Sequence, residues 1–370
     1  MINAGGSQAF NEGAETFNLD DVLSDYGISS RQLLQTLQTA AVQTGLPHPV
    51  HVHCNNLGTP GNIQTIVDTM EAAQGLPMHL AHVQFYGYGN EGKFGFSSAA
   101  AQLMAAFNRY PNITMDVGQV LFGQTVTLSG DVMAQFARRG DASPNKWHVW
   151  HAENEGSGGI VPYQYKQTSF VNGLQWAIGL EIFLLSEDPW RLFFTTDHPN
   201  GAPFTRYPDL LHLLMSYEYR MACLENLHPE ITEMPLLKDL KKEFSLYEIA
   251  IMTRAAPARL LGQKDRGTLQ AGARADIAIY REQENKSLMF RHAEKVFKNG
   301  ELVLDDGRIR QRTNGRTITA SIGFNPQIEQ TVQDYFDRFY TMKLSHYGIT
   351  DAFMEEQHRH YLATKVSGQY

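Results

Sequence analysis

The sequence predicts an α/β fold, a partial TIM-like (β/α) barrel followed by a small β domain. Apolar runs alternate with helical patterns between residues 29 and 117, which is typical of a parallel sheet covered by helices. Three stretches, at 50–56, 80–83 and 193–200, each contain an apolar run that ends in a potential metal ligand, as strands do at the carboxyl end of a barrel. Alternating residues at 267–269, 275–280 and 295–304 indicate half-buried strands.

The first elements follow from local signals. A helix is predicted at 29–44, because Ser29 or Ser30 can cap its start and Gly45 can end it. A strand at 49–54 follows, and Pro60 suits the first turn of the next helix. The pattern continues with a helix at 61–74, a strand at 78–83, a helix from Ser97 or Ser98 to about Arg109, and a strand at 113–117.

The second half of the predicted barrel is interrupted. Residues 118–170 carry Gly, Ser and Pro and are predicted to form an irregular insertion over the mouth of the barrel. Further elements are predicted as helices at 172–186, 207–224 and 247–262, with a strand at 190–196. The barrel portion is therefore expected to span residues 1–262.

The remaining sequence predicts two smaller regions. Residues 263–312 form the small β domain, with hairpin and turn signals at Asn299-Gly300 and Asp306-Gly307. Residues 313–370 form a tail with one amphipathic helix near 326–342.

Composition limits the classes of function. The chain has 370 residues, of which 42% are hydrophobic, and a net charge of −8, so nucleic acid and anionic membranes are not expected as partners. The two cysteines, Cys54 and Cys223, cannot form a disulfide framework and indicate a reducing compartment. No apolar stretch is long enough for a membrane span, and the start of the chain lacks a signal-peptide pattern. We expect a cytoplasmic protein.

The candidate site consists of His53, His82 and Asp197, each at the end of a predicted strand. Neutral imidazole and carboxylate are zinc ligands, and a carboxylate beside zinc can also move protons. His51 shares the side-chain parity of His53, so both can face the barrel lumen. His79 and His82 have opposite parity, so only one is expected to face inward, and His82 is preferred because it lies nearer the carboxyl end. The alternative is that such a histidine only caps the core.

Other residues give weaker signals for substrate binding. Asn55 and Asn56 follow His53 at the mouth and could bind an amide or carboxylate of the substrate. His151 lies in the Trp-rich insertion and could contact substrate or pack in a lid, and His198 follows Asp197. Cys54 has the opposite parity to His53 and is predicted to pack rather than to bind metal.

These segments resemble a known superfamily, the metal-dependent amidohydrolases. The His53, His82 and Asp197 segments resemble its barrel strands five, six and eight, and residues 254–262 with 265–280 resemble its final helix and β-sandwich return. Within the superfamily, three segments are similar to the A subunits of formylmethanofuran dehydrogenases and of bacterial formyltransferase/hydrolase complexes. These segments are Val52-His53-Cys54-Asn55-Asn56-Leu57-Gly58, Ala81-His82-Val83-Gln84-Phe85-Tyr86-Gly87 and Thr196-Asp197-His198-Pro199-Asn200-Gly201.

The resemblance implies a reaction, cofactors and partners. Such subunits interconvert the N-formyl amide of a methanofuran-type cofactor with formate and the free amine at a zinc pair, within a complex with other subunits. By resemblance, His53 and His82 bind one Zn²⁺. Asp197 binds the other and serves as base toward water and acid toward the departing amine.

The chain departs from the family pattern ahead of His53. The resemblance implies a His-x-His pair on the first strand and a carboxylated lysine on the fourth, yet the first lysine of this chain is Lys93. Asn3-Ala4-Gly5-Gly6 resembles the sequence that follows the bridging lysine. We therefore expect the C-terminal portion of such a subunit, inactive alone. The alternatives are another amidohydrolase, such as a dihydropyrimidinase-like cyclic amidase, or a non-catalytic scaffold of a complex.

Overall fold

The computed structural model describes most of the chain. The described ranges are 2–3, 18–23, 27–132, 156–313, 316–321, 324–339, 343–347 and 360–365. Within them the strands are β1 (Ile2–Asn3), β2 (Val22–Leu23), β3 (Ile28–Ser29), β4 (Val50–His53), β5 (Met78–Leu80), β6 (Tyr88–Gly89), β7 (Ser97–Ser98), β8 (Ile113–Asp116), β9 (Gly123–Val132), β10 (Gly156–Tyr165), β11 (Leu192–Phe193), β12 (Ile277–Ile279), β13 (Lys295–Lys298), β14 (Glu301–Asp305), β15 (Arg308–Ile309), β16 (Arg316–Ser321) and β17 (His360–Lys365).

Helices alternate with the strands in the first part of the chain and dominate its middle. The α-helices are α1 (Ser30–Gln43), α2 (Ile63–Ala72), α3 (Ala100–Arg109), α4 (Phe170–Leu185), α5 (Tyr207–Met215), α6 (Tyr217–Leu224), α7 (Pro229–Thr232), α8 (Pro235–Asp239), α9 (Leu246–Ala250), α10 (Ala256–Leu260), α11 (Lys286–Arg291) and α12 (Gln327–Phe339). Short 3-10 segments are Val83–Tyr86, Phe204–Arg206 and Leu344–Tyr347, and a π-helical turn spans Ile251–Ala255.

A five-stranded parallel sheet forms the centre of the fold, in the order β1-β4-β5-β8-β11. The helices between successive strands are the crossovers that parallel pairing requires. Within the described residues this sheet does not close into a barrel. The predicted α/β fold with a partial barrel is thereby confirmed.

The outer helices pack on the sheet through apolar stripes. Ile66 and Met70 of α2 are fully buried, and so are Leu103 and Phe107 of α3. Helix α4 is apolar on nearly all sides and is buried along most of its length, beside α3. Helix α1 begins where the sequence predicts, because Ser29 accepts a hydrogen bond from the Gln32 amide while the Gln32 side chain accepts one from the Ser29 amide.

Three predicted elements differ from those observed. Residues 118–170 are not wholly irregular, since β9 and β10 form a long antiparallel pair between Gly123 and Tyr165. The predicted helix 207–224 is broken at Ser216, whose backbone is extended and whose hydroxyl caps α6. The predicted helix 247–262 contains the π-helical turn. Pro257 follows that turn and has no N–H to donate, which explains the local widening.

The region after residue 262 contains an antiparallel sheet of four strands, β12-β13-β14-β15. Its β13–β14 turn has Asn299 and Gly300 at φ 51° and 87°, the positive values of a type I′ hairpin turn. The hairpin predicted from this dipeptide is confirmed. The domain boundaries at 262 and 312 stay predictions. Among the described helices, none has the length and apolar character needed to cross a bilayer.

Glu181 on α4 is an acidic group within the apolar interior. Its side chain is 0% exposed and accepts a hydrogen bond from the Ser98 hydroxyl. Burial raises the pKa of Glu181 to about 7, although the Ser98 hydrogen bond opposes the shift. The folded chain therefore holds a proton here that the unfolded chain releases between about pH 4.5 and 7.

A first prediction concerns the packing of α2. Ile66→Ala should lower the free energy of unfolding by about 2–5 kcal/mol, because a fully buried side chain leaves a cavity. Ile328→Ala is the matched control, since Ile328 is 52% exposed on α12, and it should change stability by less than about 0.5 kcal/mol. Urea unfolding followed by circular dichroism measures both. Equal losses would contradict the packing described.

A second prediction concerns Glu181 and pH. Because the folded-state pKa is raised, the contribution of Glu181 to stability is greatest below about pH 4.5 and is lost as pH rises through 7. Glu181→Gln should therefore gain stability over the parent chain between pH 5 and pH 8, by up to roughly 3 kcal/mol. Glu71→Gln, at an exposed position of α2, is the control. Parallel stability profiles for Glu181→Gln and the parent would contradict the assignment.

Candidate metal centre

Four histidines meet at the carboxyl ends of β4 and β5. The strands pair in parallel so that His51 lies beside His79, and His79 in turn lies beside Thr114 of β8. The rings of His51 and His53 stack at 5.7 Å between centroids, which confirms that both face the same side of the sheet. The His51 and His79 rings approach to 4.8 Å, and those of His53 and His82 to 4.4 Å.

His53 and His82, the two predicted zinc ligands on neighbouring strands, are in direct contact. His53 Nδ1 and His82 Nε2 lie 2.6 Å apart, so one nitrogen donates to the other. Burial, followed by the neighbouring His82, lowers the pKa of His53 to about 4. The imidazole is therefore neutral near pH 7, the form that binds metal. His53 Nε2 is also buried and has no hydrogen-bond partner within the described part of the chain.

A second set of possible metal ligands lies nearer the amino ends of β4 and β5. His51, His79 and Asp116 each offer a ligand atom, and these atoms lie within 4.8 Å of one another, the one such set among the described residues. Asp116 Oδ2 is 3.1 Å from His79 Nε2 and 3.8 Å from His51 Nε2. Burial alone would raise the pKa of Asp116, yet the hydrogen bond from His79 and the nearby imidazoles outweigh it and lower this pKa.

The expectation that only one of His79 and His82 faces the lumen is wrong. Strand β5 ends at Leu80, and His82 adopts φ 35° and ψ 53°, the left-handed region, before the 3-10 turn. Strand parity does not extend through such a residue. The turn places the His82 ring against the His53 ring, whereas His79 remains within β5 and contacts the His51 ring.

Asp197 lies beyond β11, also with a positive φ of 50°. Its Oδ2 accepts a hydrogen bond from Asn200 Nδ2 at 3.1 Å, and its amide donates to Thr195 Oγ1 at 3.0 Å. Burial raises the pKa of Tyr86 well above its usual value, and the charge of Asp197 contributes. The Tyr86 ring also stacks on His82, so Tyr86 is affected by both residues. Among the described residues, the ligand atoms of His53, His82 and Asp197 do not lie as close together as those of His51, His79 and Asp116.

The other predicted site residues occupy different surroundings. Asn55 donates through Nδ2 to Ser30 Oγ at 3.2 Å, and Asn56 donates to Thr65 Oγ1 at 2.9 Å, so both amides contact helices behind the mouth. Cys54 is buried in the core, as predicted, and burial raises the pKa of its thiol to about 12. Substrate binding by Asn55 and Asn56 stays a prediction.

His198 lies on the rim. Its Nδ1 accepts the Phe204 amide at 3.1 Å, and it lines a groove of about 590 Å³ with Thr125 and Tyr163 of the β9–β10 pair. His151 lies outside the described residues. The roles predicted for both in substrate binding stay predictions.

Sequence reasoning did not select Asp116, His51 or His79 as site residues. The sequence does contain a signal for Asp116. The short strand that begins at Ile113 reaches a carboxylate, Asp116, near its end. Period-two alternation places Thr114 and Asp116 on one face. The pairing of β5 with β8 brings that face to His79.

The residues at the mouth fit a zinc ion. Zinc prefers neutral imidazole nitrogen and carboxylate oxygen and leaves a position for water in catalytic sites. The mouth supplies two imidazoles in contact and a buried ring nitrogen of His53 without a partner in the described part of the chain. Asp197, after β11, offers a carboxylate. The arrangement can therefore combine metal binding with proton transfer.

Comparison with known proteins agrees with this chemistry. Residues 14–310 match the model of a family described as "Amidohydrolase family". The A subunit of the formyltransferase/hydrolase complex Fhc of Methylorubrum extorquens is 44% identical over 360 residues, 96% of this chain and 66% of the relative. Protein FwdA of Methanocaldococcus jannaschii is 35% identical over 376 residues, 95% of this chain and 66% of the relative.

Comparison with solved structures also finds a formyltransferase/hydrolase complex. In the crystal structure of the Methylorubrum extorquens complex FhcABCD with methylofuran, one chain is 42% identical, with a TM-score of 0.86. That match covers 98% of this chain and 67% of the other. The chain thus spans about two thirds of the length of the curated relatives it matches. The resemblance to these A subunits is confirmed, and the chain belongs to the amidohydrolase family.

Proposed function

We propose that this chain is a subunit of a zinc-dependent amide hydrolase that cleaves the N-formyl amide of a methanofuran-type cofactor, or forms it in reverse. The observation that carries the proposal is the contact of two imidazoles, those of His53 and His82, at neighbouring strand ends. The 44% identity to the A subunit of a formyltransferase/hydrolase complex supports a formamide as the substrate.

In the proposed site, His53 and His82 would hold one zinc ion and Asp197 would hold a second. Zinc, when bound, would supply Lewis-acid activation of water and of the formyl carbonyl. Asp197 is proposed as general base and then general acid. Its carboxylate lies near the buried Tyr86, and its Oδ2 is held by the Asn200 amide. That hydrogen bond holds one oxygen of the carboxylate in place.

The proposed reaction balances without a redox partner. Water adds its oxygen to the formyl carbon, and the proton released goes to Asp197. The C–N bond then breaks, and Asp197 returns the proton to the departing amine nitrogen. The products are formate and the free amine of the cofactor. Asn55, Asn56, His151 and His198 are proposed to contact the substrate around this centre.

The proposal includes partners and a location. We infer that the chain works with the other subunits of a formyltransferase/hydrolase or formylmethanofuran dehydrogenase complex, in the cytoplasm. The net charge of −8 gives no reason to expect nucleic acid as a partner. A cyclic amidase and a non-catalytic scaffold are the two alternatives, and the experiment below distinguishes them from the proposed function.

The test is formate release from an N-formyl methanofuran-type substrate. The chain is assayed with its complex partners and with the segment of the Methylorubrum relative that lies outside the matched region. Asp197→Asn should lower kcat by on the order of 10²–10⁴, because it removes the group that moves the proton. Zinc content is measured for every variant.

Asp239→Asn, at an exposed position at the end of α8, is the matched control and should leave the rate unchanged. Near-parental activity of Asp197→Asn would refute the proton-transfer role. Hydrolysis of dihydrouracil in place of the formamide would favour the cyclic amidase. Failure of the parent chain to bind zinc at neutral pH would favour the scaffold.

A further inference from the structure

His82 has a backbone conformation that a residue with a Cβ rarely adopts. Its φ of 35° lies in the left-handed region, directly after β5 and at the start of the Val83–Tyr86 turn. Such a conformation persists only where the surroundings determine it. It is also the conformation that brings the His82 ring to His53. The contacts that hold this turn therefore control the relative position of the two imidazoles.

Those contacts come from β8 and the residues after it. The His82 amide donates to Asp116 Oδ1 at 2.9 Å, and the Gln84 amide donates to the Val117 carbonyl at 3.0 Å. Gly118 packs so closely that a Cβ built on it would lie 2.5 Å from His82 Cβ. Three consecutive residues therefore contact the His82 turn: Asp116 through its carboxylate, Val117 through its backbone carbonyl, and Gly118 by close packing.

The carboxylate of Asp116 is held in place by His79. Its second oxygen, Oδ2, contacts His79 Nε2 at 3.1 Å, and His79 Nδ1 contacts Thr114 Oγ1 at 2.9 Å. Each oxygen of the carboxylate therefore has a separate partner, and the side chain is only 16% exposed. Since both ring nitrogens of His79 are also engaged, this chain of contacts orients the carboxylate toward the His82 amide.

We propose that Asp116 is a positioning residue: its carboxylate, oriented by His79 and Thr114, holds His82 in the left-handed turn that directs the imidazole toward His53. The part of this inference that concerns zinc rests on the proposed function, because it takes His82 as a metal ligand. The part that concerns the His82 turn stands on the geometry alone. Partners of this kind, which orient a ligand without touching the metal, change metal affinity by about 10–100-fold.

The experiment compares Asp116→Leu with Asp116→Asn in the full chain. Leucine removes both oxygen contacts, whereas asparagine keeps one oxygen that can accept the His82 amide. In metal-free protein, hydrogen exchange of the His82 amide should be at least tenfold faster in Asp116→Leu than in the parent, and close to parental in Asp116→Asn. Zinc affinity, measured by chelator competition, should fall about 10–100-fold in Asp116→Leu and recover in Asp116→Asn.

A second pair of variants tests the same turn from its other side, should Asp116→Leu fail to fold. Gly118→Ala and Gly75→Ala both place a Cβ on a residue with positive φ, at 69° and 82°. Only the alanine at 118 would meet His82, because nothing lies within 4 Å of a Cβ at 75. Gly118→Ala should therefore speed exchange of the His82 amide and weaken zinc binding, and Gly75→Ala should do neither.

The outcomes separate this inference from the proposed function. If the parent chain binds no zinc, the proposed metal site fails, and the exchange of the His82 amide still decides the role of Asp116. Parental exchange and parental zinc affinity in Asp116→Leu would overturn the inference. So would zinc that survives a His53→Ala, His82→Ala double variant and is lost in Asp116→Leu, because Asp116 would then bind the ion itself.

Discussion

The parallel register between β4, β5 and β8 is the constraint on which the candidate site depends. Pairing of His51 with His79, and of His79 with Thr114, brings side chains from three separate strands into one row. A shift by a single residue would turn each of these side chains to the helix-covered face. That face is apolar, with Val52, Leu80 and Met115 fully buried against the helices. The burial of one face therefore fixes the polar chemistry of the other.

The helices contribute to the site by making this register rigid. Ile66, Met70 and Leu103 belong to the same buried cluster as Val52 and Leu80, so the core behind the sheet is continuous. A packed interior of this kind tolerates little relative movement of the strands. Contacts of 2.6 Å between His53 and His82, and of 3.1 Å between His79 and Asp116, are possible because the strands that carry them cannot slide.

Much of the fold is predictable because its signals are local. The capping box at Ser29 and Gln32 and the Asn299-Gly300 turn each depend on residues within four positions of one another. The convergence of His53 and His82 could likewise be anticipated from two strands that end in histidine. The long pairing of β9 with β10 could not, because the two segments that pair are not adjacent in the sequence.

The remaining details of the site depend on contacts between distant residues. Positive φ is uncommon for any residue other than glycine. His82 adopts it beside Asp116 and Gly118, more than thirty positions away. Strand parity therefore gave the wrong orientation for the His79–His82 pair. Asp116 shows the same limit, because its importance follows from pairing with β5 rather than from its own sequence neighbours.

The π-helical turn at Ile251–Ala255 has a consequence for how the last helices cover the sheet. Ile251, which begins the turn, and Ala256, which follows it, belong to one buried cluster with Phe193 of the edge strand β11. Removing one residue there would restore ordinary α-helical winding and rotate everything that follows by about 100° around the helix axis. The packing of this helix against β11 therefore depends on the number of residues in the turn.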